Sequence, residues 1–429
     1  MNEKHNFGAG DYVSIKIDKE ELKGTILQSY EKNVVLIKLD SGYNIGIREE
    51  DIRGIKIISK AKKKPESKKE IVQKGPGISM IVTGGTISSM LDYETGGVKW
   101  LINPRQLLES VPKVSEIVKI NSIEIPFMIA SENMSAKNWQ IIAKKTAELL
   151  NKKENHAVII THGTDTLHYT AAALSFMLQD LNKPVILTYS QRSSDRGSSD
   201  AFLNLVCAAH AARSNIAEVM LVGHATSSDK YCYAMKGTKV RKMHTSRRDT
   251  FRPINDMPIA KIFENGVIEI FKEHRKRNEE KKVIADTAFE EKTALIKFYP
   301  GMKPEELEFF IKNKYKGIII EATGLGHVAT DEARYNLLPV IKKMIDAGII
   351  VCFACQTIYG RLDPFVYSPG RKLQEIGVIF LEDMLPETAY VKLGWLLGHD
   401  YHPDKIKDLM KQNLEGEYNP RISEKDFLN

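Results

Sequence analysis

The chain has 429 residues, 42% of them apolar and 27% charged, which is the profile of a globular protein of about three domains and excludes a disordered or fibrous chain. No apolar run approaches the roughly 20 residues of a membrane helix, and the opening Met1 to Phe7 lacks the apolar core of a secretory signal, so no membrane role and a cytoplasmic location are expected. The formal net charge of +7 permits contact with a polyanion, and four cysteines are too few for a disulfide scaffold.

Residues 1–58 read as a small all-β barrel module. Tyr12 to Ile17 and Asn33 to Leu39 are β-branched runs, and Ser41-Gly42-Tyr43-Asn44 supplies a turn before Ile45 to Ile47. Such modules dock, and nothing in this one suggests catalysis. Residues 59–77 follow as a charged linker. Residues 60–74 hold seven lysines against two glutamates, which fits a solvated spacer and also, as an alternative, contact with RNA.

From Ile78 the pattern alternates between strands and helices. Strands are expected at 78–83, 122–129, 156–161, 184–189 and 217–222, and helices at 136–150, 165–180 and 198–213. This alternation implies an α/β domain over 78–280 with a mostly parallel sheet covered on both faces. The signal turns polar around 253–278. A second alternating set gives a smaller α/β domain over 281–429, with strands at 293–298, 316–321 and 349–354 and helices at 303–313, 330–346 and 385–397.

Two threonine motifs stand at the ends of expected strands. Thr83-Gly84-Gly85-Thr86-Ile87 follows Ile78 to Val82, and Thr161-His162-Gly163-Thr164-Asp165-Thr166 follows Ala157 to Ile160. Ligands of open α/β sheets bind at the carboxyl ends of such strands. A threonine hydroxyl becomes a useful nucleophile only when a neighbouring group takes its proton. Thr164-Asp165 offers a hydroxyl beside a carboxylate, and the absent element is a lysine, which spacing alone does not choose. His162 and His244 read as packed or backbone-holding histidines. Cys352-Phe-Ala-Cys355 has the spacing of half a zinc site without a second half, and reads as core packing with no metal. Gly324-Leu-Gly326 mimics a dinucleotide loop, but no acidic residue ends the next strand, and no Walker-type motif is present.

Taken together, the two motifs resemble the bacterial-type L-asparaginase/glutaminase family. Further segments are similar to it: Ser190-Gln191-Arg192 with Asp200 and Asn204, Lys242-Met-His244 leading to Phe251 and Asn255, and Pro386-Glu387 through Gly398. The resemblance spans roughly 78–400 and implies a two-domain asparaginase-like fold. It implies that Thr86 is the nucleophile of an acyl-enzyme and that Thr164, Asp165 and Lys242 act as a trio. It further implies that Ser131 holds the substrate α-carboxylate and that Tyr93 is a lid tyrosine. A β module and charged linker ahead of such a domain resemble the D-subunit family of the archaeal Glu-tRNA(Gln) amidotransferases. That likeness implies a glutaminase that passes ammonia to the amidotransferase E subunit, which binds Glu-tRNA(Gln) and uses ATP and Mg²⁺. It also implies a homodimer core within a heterotetramer and no cofactor on this chain. The alternative is a stand-alone cytosolic asparaginase/glutaminase, with asparagine in place of glutamine.

Overall fold

The computed structural model describes residues 7–8, 10–18, 20–27, 29, 33–40, 44–60, 75–91, 98–100, 111–193 and 198–424. Five strands form the first unit: β1 (Tyr12–Ile17), β2 (Glu20–Leu27), β3 (Val34–Leu39), β4 (Asn44–Arg48) and β5 (Ile52–Ser59). They pair antiparallel in the order β4-β3-β2-β1-β5. One apolar cluster of Val13, Ile15, Ile26, Val35, Ile37 and Ile47 lies under them.

The large sheet comprises β6 (Gly77–Val82), β7 (Lys119–Glu124), β8 (Val158–Thr161), β9 (Val185–Thr188) and β10 (Val219–His224), then β11 (Tyr231–Lys236), β14 (Ala260–Phe263) and β15 (Ile268–Ile270). A separate antiparallel pair, β12 (Val240–Lys242) and β13 (Phe251–Pro253), stands beside it. The order across the sheet is β15-β14-β11-β10-β9-β8-β6-β7. Strands β6 to β10 are parallel, and β11, β14 and β15 extend the sheet antiparallel. The sheet is therefore mixed, and the polar stretch at 253–278 supplies its outer strands.

Burial on both faces explains the unbroken apolar runs of the parallel strands. Val158, Ile160, Val185 and Leu187 join one core, and Ile159 and Ile186 join the other. Helices α1 (Ala136–Leu150) and α2 (Leu167–Met177) cover the first face, and α3 (Ala201–Ala212) covers the second. Helix α1 starts where expected because Asn138 Oδ1 accepts from both the Ser135 amide (2.9 Å) and its hydroxyl (3.0 Å), satisfying groups at the helix start.

The second α/β unit is a four-stranded parallel sheet in chain order: β16 (Thr293–Lys297), β17 (Gly317–Ala322), β18 (Ile350–Cys355) and β19 (Ile379–Phe380). Its helices are α4 (Pro304–Lys312), α5 (Leu338–Asp346), α6 (Ser368–Glu375), α7 (Pro386–Leu397) and α8 (Pro403–Lys411). Helix α5 is shorter than the expected 330–346. Pro339 has no N–H and clashes with the carbonyl four residues back, so the helix cannot extend far ahead of it. Helix α7 packs on α2 and on β16 and β17, and a single apolar core runs from the large sheet across α7 to one face of the small sheet. Cys352 belongs to that core, whereas Cys355 belongs to the core on the opposite face. Residues three apart on a strand point to opposite sides, so the two thiols cannot share an ion. Among the described residues no group of three His, Cys, Asp or Glu side chains could hold a metal, and no helix is long and apolar enough to cross a membrane.

Candidate active site

The five parallel strands run in the order β7-β6-β8-β9-β10, so the chain reverses its direction of travel at β6 and β8. At such a switch point the loops leave the strand ends in opposite directions and open a crevice. The two threonine motifs emerge there, from neighbouring strands paired Val82 to Thr161. Thr83 binds the two strand ends together: its hydroxyl donates to the Thr161 carbonyl at 2.9 Å, and its amide donates to the same oxygen at 3.2 Å.

Glycines set how closely the motifs approach. Gly85 lies at φ 81°, ψ 171°, a region that side-chain-bearing residues avoid. A β-carbon on Gly85 would stand 2.3 Å from Gly163 Cα, and one on Gly84 would stand 2.3 Å from the Ile129 carbonyl oxygen. A β-carbon on Gly163 would lie 2.9 Å from Ser131 Oγ. Three turns, at 83–86, 129–131 and 162–165, thus meet backbone to backbone. Thr86 opens a short 3₁₀ turn over Thr86–Ser88 and is half-buried, and its hydroxyl has no protein partner among the described residues.

Lys242 closes the other side. It ends β12, and its Nζ donates to Thr164 Oγ1 at 2.9 Å and to Asp165 Oδ1 at 2.8 Å. Thr164 is buried, whereas the Asp165 side chain is 63% exposed and faces the open crevice. Ser131 is buried, and its Oγ accepts from the Asp165 amide at 3.1 Å. Thr166 Oγ1 donates to the Ser131 carbonyl at 2.6 Å. Ser131, Thr164, Asp165 and Lys242 are thus joined by hydrogen bonds on the crevice that Thr86 borders. Tyr93 lies outside the described residues.

The flanking histidines hold structure. His162 is fully buried, and burial lowers its pKa to about 4, so the ring is neutral. The Gly163 carbonyl, 2.7 Å from Nδ1, can only accept, so Nδ1 carries the proton and Nε2 accepts from the Thr170 hydroxyl at 2.9 Å. His244 Nδ1 accepts from the amides of Ser246 (3.1 Å) and Arg247 (3.2 Å), which folds the loop after Lys242. Asp249 pins that loop through Arg247 and Arg252. Burial would raise the Asp249 carboxyl, but the two guanidiniums outweigh it and hold the group below the usual range. Asp200 and Asn204 are structural as well. Asp200 accepts from the amides of Gln191 and Arg192, and Asn204 Nδ2 donates to the Tyr189 carbonyl.

Further contacts shape the site through partners that the sequence does not pair. Thr166 holds Ser131 although it belongs to a motif read for its other members. Arg241, next to Lys242, meets Glu387 of α7 at 2.9 Å across 146 positions of chain, a contact that no local pattern announces. Asn255 and Gly360 exchange two hydrogen bonds, Nδ2 to carbonyl at 2.9 Å and amide to Oδ1 at 3.0 Å, and so tie the large unit to the small one.

The family model "Asparaginase, N-terminal" matches residues 77–276, and "Glutaminase/Asparaginase C-terminal domain" matches 292–410. The thermostable L-asparaginase of Thermococcus kodakarensis is similar in structure, with a TM-score of 0.71 and 29% identity over 80% of this chain and 100% of that one. Its likeness leaves a fifth of this chain unmatched. The family model "GatD N-terminal domain" matches residues 7–58. The D subunit of glutamyl-tRNA(Gln) amidotransferase from Pyrococcus furiosus is 50% identical over 98% of this chain and 97% of its own length. The protein of the same name from Sulfolobus acidocaldarius is 42% identical over 97% of this chain and 93% of its own. The chain belongs to the asparaginase family and, within it, to the D subunits of glutamyl-tRNA(Gln) amidotransferase.

Proposed function

We propose that this chain hydrolyses glutamine and supplies the released ammonia to a partner subunit that converts Glu-tRNA(Gln) to Gln-tRNA(Gln). The observation that carries this reading is the contact of Lys242 with Thr164 and Asp165 on the crevice that Thr86 borders, where the Thr86 hydroxyl has no partner among the described residues. Thr86 Oγ1 attacks the carboxamide carbon, its proton passes to the departing nitrogen, and collapse of the tetrahedral adduct expels ammonia and leaves a γ-glutamyl ester on Thr86. Water then cleaves the ester and regenerates the hydroxyl. Thr164, Asp165 and Lys242 polarise and hold the substrate, and the exposed Asp165 carboxylate suits its amino group. Ser131 receives the α-carboxylate. Tyr93 belongs to the lid that keeps water out until ammonia has left.

ATP and Mg²⁺ are used by the partner, the amidotransferase E subunit, which also makes the main contact with tRNA. The assembly is a cytoplasmic heterotetramer built on a homodimer of this chain. The test is ammonia release by the purified full chain from glutamine and from asparagine, with and without the partner and Glu-tRNA(Gln). Weak glutaminase activity that rises with partner and tRNA is expected. Strong asparaginase activity indifferent to both would instead identify a stand-alone asparaginase.

A further inference from the structure

Behind the Ser131 turn lies a second cavity, of about 470 Å³, that the hydrolytic chemistry does not use. Four aromatic rings from four segments line it: Trp139 of α1, Tyr169 of α2, Phe289 of the connector and Tyr390 of α7. They meet in sequence, each edge to face. Centroids are 5.6 Å apart for Trp139 and Phe289 (73°), 6.2 Å for Phe289 and Tyr390 (67°), and 6.3 Å for Tyr390 and Tyr169 (78°). Near-perpendicular packing thus gathers the four rings around one cavity.

The rings are held in place. A β-carbon on Gly394 of α7 would lie 2.3 Å from the Phe289 ring, and one on Gly398 would lie 2.2 Å from the Phe289 amide nitrogen, so the two glycines seat Phe289 against the helix. Trp139 is buried and donates through Nε1 to Thr170 Oγ1 at 3.1 Å.

Arg241 and Glu387, which both act on Tyr169, are paired with each other at 2.9 Å, and the charge in the cavity lining is Glu291. Glu291 stands on its rim, exposed and without an ion pair among the described residues. Burial, and after it Glu387 against the opposing Arg241, raises the Tyr169 phenol, and burial followed by Glu291 raises Tyr390, so both rings stay neutral. Among the described residues the cations that lie over aromatic rings occupy other rings, and none covers these four. Faces of electron-rich rings with a carboxylate at the mouth form a receptor for an organic cation.

We propose that this cavity is a binding site for an alkylammonium group, supplied either by a free amine or by a lysine side chain of another protein. It shares Thr166 with the Ser131 turn, and the Trp139–Thr170–His162 hydrogen-bond chain leads from its wall to Gly163, so an occupant would bear on the catalytic turn.

The test is a fluorescence titration of the full chain with choline and with its neutral isostere 3,3-dimethylbutan-1-ol, using a Trp139→Phe variant to identify the responding ring. Choline should saturate the signal and bind about tenfold more tightly than the isostere, the size expected of a partly desolvated cation over ring faces. Glu291→Gln, a change at an exposed position that leaves the fold intact, should weaken choline and leave the isostere unmoved. In a parallel arm, Nα-acetyl-lysine methylamide binding more tightly than choline assigns the site to a protein lysine, and the reverse order assigns it to a free amine. Cations that bind no better than the isostere, or no saturable binding of either cation, overturn the proposal.

Discussion

Thr86 is set apart from its neighbours because its hydroxyl has no partner among the described residues. The hydroxyls of Thr83 and Thr166 are fixed to backbone carbonyls, and that of Thr164 is fixed by Lys242. Thr86→Ala should lower glutamine hydrolysis by at least about a thousandfold while moving the urea midpoint little, because no bond is lost. Lys242→Ala and Thr164→Val should each lower kcat strongly, and the double variant little further, since the two side chains act as one unit. The buried histidines predict a pH effect. His162 and His168 titrate at about 4 and about 3 in the folded chain, chiefly through burial, against 6.5 when exposed. Below pH 6.5 the unfolded chain takes up protons that the folded chain refuses, so stability falls as pH drops from 6.5 towards 4 and is unaffected by these groups above 6.5. Between pH 6.5 and 4 each removes up to about 3 kcal/mol of stability, and His168 goes on to remove more below that window. Urea unfolding across that window should show the slope, and His168→Leu should reduce it by about half. The roles of single residues were legible in the sequence only where a motif or its likeness to a family carried them. Lys242 could not be chosen by spacing, and the Arg241–Glu387 contact depends on how α7 docks.

At the scale of elements, the parallel strands and helices over 136–177 were readable because apolar strand runs alternate there with helical stretches across polar turns. The outer strands β14 and β15 were not. They have four and three residues, and β15 is largely exposed, so the alternation they carry is too short to stand out and no long apolar run marks them. The element on which the site depends most is the turn at Gly84-Gly85. Gly85→Ala combines a forbidden backbone region with a clash against Gly163, and should cost about 2–3 kcal/mol by chemical denaturation and remove most activity. An Ala variant as stable and active as the parent would show that the turns do not touch.

At the scale of the whole molecule, two ion pairs in the α/β units are sealed from water. Lys239 meets Asp383 at 2.6 Å, and Lys392 meets Glu417 at 2.6 Å, with all four side chains fully buried. The first joins the large unit to the small one. Asp383→Ala should destabilise the chain by about 3–5 kcal/mol, because it strands a buried ammonium, and Lys239→Met/Asp383→Leu should recover much of that loss. A urea series on the three proteins decides it. No sequence pattern announced these pairs, since isolated lysines and acids read as surface residues. The apolar core that passes from one sheet over α7 to the other has a consequence for motion. Two bodies that share an interior cannot swing apart about a hinge without exposing it to water. Domain closure is therefore not available for admitting glutamine or expelling ammonia, and control of that traffic falls to surface loops, where a partner can reach it.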